Sequence, residues 1–182
     1  GANDNLTGTY AAVCALRMLD MAGVDFENTE VCAMITDGEE AGLRGCKSWA
    51  KNHYDEYVNS GVETVILCVD TLTDREYLRV YNKDMTGTVK NNQQFSQLVM
   101  DASKDAGHDD IELSSVFFGS SDAAAFSQAG ITTTCLAAMD PRPADYYHNR
   151  RDTADRLVPE TIKTGFDVII STILNFDEKG LN

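Results

Sequence analysis

Apolar residues at Leu6, Tyr10, Val13, Cys14, Leu16, Leu19 and Met21 recur at mostly helical spacing. Asn3, Asp4 or Asn5 can serve as the cap and Gly23 as the stop, so the spacing predicts a helix over 6–22. Residues 29–36 are β-branched and apolar up to Asp37-Gly38, the pattern of a buried strand, and a second helix is predicted over 43–58. The run 62–69 is almost continuous in Val, Ile, Leu and Cys and halts at Asp70, which predicts another interior strand with an acidic residue at its carboxyl end. A further strand is predicted at 77–81, a helix at 92–106, a strand at 111–118, a helix at 121–129, a strand at 131–137 and a final helix at 157–176. Strands and helices thus alternate with no low-complexity linker and no repeat. The expectation is one α/β domain over 1–182, three-layered, with a mostly parallel central sheet and helices on both faces. In such sheets ligands collect at the carboxyl ends of the strands.

Composition narrows the partners. The chain has 182 residues, 43% of them hydrophobic, enough for one sizeable core. Fifteen basic residues against twenty-nine acidic ones leave a formal charge of −14, which repels phosphate backbones and anionic lipid surfaces and argues against nucleic-acid partners. No apolar stretch has the length of a membrane span. The five cysteines, Cys14, Cys32, Cys46, Cys68 and Cys135, are odd in number, widely spaced and mostly in apolar runs. They read as small hydrophobes under reducing conditions, and a cytoplasmic setting is expected.

Candidate chemistry sits in four loop segments. Thr36-Asp37-Gly38-Glu39-Glu40 follows a strand-like run and places two carboxylates side by side, where one can hold a metal while the other moves a proton. The other segments are Gly1-Ala2-Asn3-Asp4-Asn5, Val69-Asp70, and the run from Tyr146 through His148 to Thr153. Each has an ordinary reading on its own. Glu39 and Glu40 favour a helix start, Asp4 a helix cap, Asp70 a turn, and His148 a packed imidazole. Together they make a carboxylate and imidazole set suited to Zn²⁺. His53 and His108 lie away from predicted strand ends and are left out of the site.

The motifs Gly-Ala-x-Asp-Asn, Glu-Glu-x-Gly-Leu-x-Gly, Asp after a strand and His-x-x-x-Asp-Thr, in this order, resemble the co-catalytic zinc aminopeptidase family, peptidase family M28, which also includes glutaminyl cyclases. The resemblance implies a zinc-dependent aminopeptidase acting on peptides. In it Asp4 bridges two zinc ions, Glu40 and His148 complete one site, Asp70 serves the other, and Glu39 is the general base. Asp122 falls in a turn like the family's Ser-Asp-His, with Ala123 where histidine is common, and is given no metal role. The family's His-x-Asp strand, which precedes the Gly-Ala-x-Asp-Asn segment, has no counterpart in this sequence. Residues 1–182 are therefore expected to be a fragment lacking upstream strand or strands, holding one metal or none where the complete enzyme holds two. Arg150 and Arg151 flank the His148 segment and are candidate binders of a substrate carboxylate. Two other readings are a single-zinc glutaminyl cyclase and a non-catalytic interaction domain on a peptidase-like scaffold.

Overall fold

The computed structural model describes residues 1–181. An irregular helical turn at Ala2–Thr7 leads into helix α1 (Gly8–Met21), and α2 spans Arg44–Tyr57. Strand β1 (Val65–Asp70) is followed by β2 (Leu78–Asp84), β3 (Val89–Lys90), α3 (Gln93–Asp105), β4 (Leu113–Ser115), α4 (Asp122–Gln128), β5 (Thr132–Ala138) and α5 (Pro159–Lys179). Cap chemistry fixes several starts: Asn92 accepts the Phe95 N–H at 2.9 Å ahead of α3, Ser121 caps α4, and Pro159 opens α5 where no backbone donor is needed.

The sheet order is β1-β5-β2-β3, with β4 also on β2. Pairing is parallel for β1–β5 and β2–β4 and antiparallel for β2–β5 and β2–β3. Side chains alternate across β5, so one sheet face carries Cys135 and Ala137 and the other Leu136 and Ala138. The first face packs on α2 and α4 through Cys46, Ala50, Ala124 and Phe126. The second packs on α1, α3 and α5 through Ala15, Phe95, Val99 and Val168. This is the expected three-layer α/β arrangement.

The local differences are instructive. Residues 29–36 form no strand: none is fully buried, and none joins a backbone ladder among the described residues. An apolar run becomes a strand only when an edge lies beside it to accept its hydrogen bonds, and β1 pairs with β5 on its other side. The strand expected at 111–118 shrinks to β4, whose register on β2 shifts between Tyr81 and Lys83, and Phe117 and Phe118 beyond its end are exposed. β2 runs three residues beyond the expected 77–81, and its far end turns back into β3.

Candidate metal centre

Asp4 reaches its position because its neighbours tie the first loop to the end of β1. Asn5 Nδ2 donates to the Val69 carbonyl at 2.9 Å, and Asn5 Oδ1 accepts the N–H groups of Gly8 at 3.0 Å and Thr71 at 3.1 Å. Asn3 Oδ1 accepts the N–H groups of Leu72 at 3.1 Å and Thr73 at 3.2 Å. The capping work falls to Asn5, and Asp4, at φ −109° and ψ 98°, is free to face outward. Gly8 is needed here, since a Cβ at that position would lie 2.4 Å from the Val69 carbonyl oxygen.

The His148 loop is joined to the same place by Asp152. Its Oδ1 accepts the Asn3 N–H at 2.7 Å and its Oδ2 the Asp4 N–H at 2.9 Å, while its carbonyl accepts the Ala2 N–H at 3.2 Å. His148 holds a left-handed backbone at φ +54°, and the Tyr147 ring stacks on its imidazole with centroids 3.7 Å apart. Glu39 and Glu40 sit on a tight turn closed by Leu43 N–H to the Glu39 carbonyl at 2.7 Å and Gly45 N–H to the Asp37 carbonyl at 3.0 Å. A Cβ on Gly45 would stand 2.4 Å from that Asp37 oxygen, so glycine is required for the turn to close against α2.

These devices bring three of the sequence-derived candidates together. His148 Nε2 lies 3.1 Å from Asp4 Oδ2 and 2.8 Å from Glu40 Oε1. One ligand atom from each residue falls within 4.8 Å of the other two. Asp70 lies behind them at the end of β1. Burial, and then the charge of Asp4 and Glu39, pushes its carboxyl well above the usual carboxylate range. Its Oδ1 is enclosed and has no hydrogen-bond partner among the described residues. Glu39 is pushed up to about 7, first by burial and then by Glu40, Asp122, Asp4 and Asp84.

Such a crowd of carboxylates is unfavourable until a cation compensates it. Two carboxylates, an imidazole and an orphaned acid oxygen behind them fit a divalent ion of the zinc type. Asp122 serves elsewhere, accepting the Thr36 hydroxyl at 2.9 Å, and Ala123 is fully buried in the core. Arg151 pairs with Asp145 at 3.7 Å, and the same carboxylate takes Arg156 at 2.9 Å, so Arg151 is drawn into a surface ion pair. Arg150 is exposed and has no ion pair among the described residues. Sequence reasoning offered Asn3 and Asn5 only as alternative caps of the first helix and gave Asp152 no role; their signal was adjacency to Asp4 and the Asp of His-x-x-x-Asp-Thr, but nothing in the sequence shows which backbone groups they receive.

Fold and site together define an α/β protein with a candidate divalent-metal centre at the carboxyl end of β1. The chain belongs to Peptidase family M28, whose model matches residues 1–173. Among solved structures it is similar to the LapA aminopeptidase of Legionella pneumophila, with TM-score 0.77 at 15% identity, covering 98% of this chain and 47% of that one. It is also similar to a zinc aminopeptidase from Bacillus subtilis, with TM-score 0.74 at 21% identity over 95% of this chain and 41% of that one. A glutaminyl cyclase from Bacteroides thetaiotaomicron gives TM-score 0.69 at 18% identity, covering 95% and 62%. The chain spans less than half the length of the two aminopeptidases. No curated protein matches it significantly by sequence. No helix among the described residues is long and apolar enough to cross a membrane.

Proposed function

We propose that this chain carries the main part of the active site of a zinc aminopeptidase that removes residues from the amino end of peptides. The observation that carries the reading is the convergence of Asp4, Glu40 and His148 from three remote loops onto one point. These three would hold one zinc, and Asp70 with the shared Asp4 would contribute to a second. Zinc bound there would supply Lewis acidity, lowering the pKa of a coordinated water to about 7 and polarising a peptide carbonyl.

The chain's own groups account for the proton traffic. Glu39 stands next to the ligand Glu40 without belonging to the triad, and in the metal-free chain burial and then the charges of Glu40, Asp122, Asp4 and Asp84 push its carboxyl up to about 7. A carboxylate beside the metal ligands accepts a proton and passes it on. Glu39 takes the proton of the attacking water and returns it to the departing amine nitrogen as the C–N bond breaks. Tyr147 holds the His148 ring by stacking, which keeps Nε2 aimed at the carboxylates. Arg150, exposed beside this loop, is placed to pair with a substrate carboxylate.

The test uses the complete protein loaded with zinc, offered a leucyl peptide and a glutaminyl peptide and read by mass spectrometry. Release of the first residue supports the aminopeptidase; loss of ammonia from the glutaminyl peptide alone supports the cyclase, which a single complete triad would also serve. Glu39→Gln should lower turnover about 10²–10⁴-fold while zinc remains bound. Failure to bind zinc and to alter either peptide would leave the interaction-domain reading.

A further inference from the structure

The layer formed by α2 and α4 carries a concave site of its own. Lys47, Ala50, Lys51 and Tyr54 recur along α2 at the spacing that puts them on one helix face, and Ala125 and Gln128 of α4, with Ala129 at its end, stand opposite. Together they bound an open hollow of about 370 Å³. That volume falls in the range of small-molecule sites, roughly 300–1,000 Å³. None of Asp4, Glu39, Glu40, Asp70 and His148 lines it, so it is separate from the candidate metal centre.

The uncommitted polar groups of this hollow are mostly donors. Lys51 has no ion pair and no side-chain hydrogen bond among the described residues, and the hydroxyl of the half-buried Tyr54 has no partner there either. Lys47 spends one of its three ammonium donors on the Gly42 carbonyl, at 3.0 Å, and keeps the others. The carbonyls near the end of α4, which would repel an anion, are already taken. Those of Ala125, Phe126 and Ser127 accept the N–H groups of Ala129, Ile131 and Gly130 at 3.1, 2.9 and 3.1 Å. Donors without acceptors call for a ligand that brings the acceptors.

Charge singles the hollow out. The chain carries twenty-nine acidic residues against fifteen basic ones, yet among the described residues this lining holds two lysines and no Asp or Glu. Nothing lining it offsets the two ammonium groups. The floor between them is apolar, since Ala50 and Ala125 are buried and offer only methyl groups. Such small side chains leave room for a hydrocarbon segment lying between two charges.

We propose that the hollow between α2 and α4 binds a small organic dicarboxylate, whose two acid groups pair with Lys47 and Lys51 while its short hydrocarbon stretch rests on Ala50 and Ala125. Residues four apart on a helix are separated by about 6 Å along its axis, which is about the span of a six-carbon diacid. The Tyr54 hydroxyl donates to the carboxylate held by Lys51. A large acidic partner fits less well, because the formal charge of −14 repels an extended polyanion, whereas a small dianion lies within the local field of the lysines and is screened from the rest.

The test adds adipate to the full-length protein, with and without zinc, and follows isotope-labelled alanine methyl groups by NMR. Neither metal binding nor turnover enters the readout, so its outcome is separable from that of the proposed aminopeptidase. The signals of Ala50, Ala125 and Ala129 should shift together and saturate with a dissociation constant of roughly 0.1–1 mM, equally with and without zinc. Binding should weaken severalfold as salt rises from about 0.05 M to about 0.5 M. Hexanediol, which has the same length and no charge, should leave the signals unmoved. Lys47→Gln combined with Lys51→Gln should weaken binding at least about 10-fold, whereas Lys104→Gln, outside the hollow, should not. Absence of saturation, saturation only with zinc, equal binding of hexanediol or sulfate, or undiminished binding by the double variant would each overturn the proposal.

Discussion

Replacing Asp152 by alanine tests whether the candidate site is held by backbone capture, since this residue touches none of the three converged ligand atoms. Its side chain is 4% exposed and its two oxygens take the N–H groups of Asn3 at 2.7 Å and Asp4 at 2.9 Å. Hydrogen bonds to a charged group contribute roughly 1.5–3 kcal/mol each, and truncation also leaves two enclosed donors unpaired. The expected loss is about 3–5 kcal/mol, a large part of the roughly 5–15 kcal/mol that holds a domain together. For a chain of this size each kcal/mol moves the melting midpoint by roughly 2–4 °C, so Tm should fall by about 10 °C. Urea denaturation of the metal-free protein measures the loss, and zinc titration followed by competition with a chromogenic chelator measures its effect on the ligands. Asp152→Asn keeps one acceptor and turns an amide toward the other donor, so it should lie between. If Asp152→Ala matched the parent within about 0.5 kcal/mol and bound zinc equally well, the reasoning would fail, because that is the range of ordinary surface changes.

Zinc at about 100 times its dissociation constant should stabilise the folded chain by about 2.7 kcal/mol, and His148→Ala should abolish the resulting Tm rise in differential scanning fluorimetry. The metal-free protein should lose stability as pH rises from about 4.5 to 7. Glu39 has a folded pKa raised to about 7, so the native state binds its proton more tightly than the unfolded state, and that contribution disappears as pH passes through the folded value. Discounted for its partial exposure, the effect is about 1–2 kcal/mol, and Glu39→Gln should flatten the Tm profile over that window; an unchanged slope would contradict the assignment. Gly45→Ala forces a Cβ to 2.4 Å from the Asp37 oxygen and should cost about 1–3 kcal/mol in thermal melts while leaving α2 helical by circular dichroism.

The helices were legible because each carries a self-contained signal, an apolar stripe at helical spacing and a stop or cap within one turn. The predicted helix at 92–106 and α3 (Gln93–Asp105) differ by one residue at either end. β1 and β5 were legible for a similar reason, since runs such as Val65–Asp70 are apolar enough to specify burial on their own. Residues 29–36 have the same composition and no ladder, and sequence cannot separate the two cases because a strand is a relation between edges. The direction of β2 against β5 was hidden for the same cause, being set by how the chain crosses the sheet and not by any residue in it.

By itself the sequence determined which residue types could hold a cation, Asp4, Glu39, Glu40, Asp70 and His148, and that they fall in loop segments, Glu39, Glu40 and Asp70 after strand-like runs. Only the tertiary structure decided that Asp4, Glu40 and His148 meet within one coordination distance and that Asp70 keeps an unpartnered oxygen behind them. Ligand identity is written in side-chain chemistry, which is local. Convergence depends on Asn3, Asn5 and Asp152 capturing backbone groups of segments as far as 149 positions away, and such partners are fixed by the folded path of the chain.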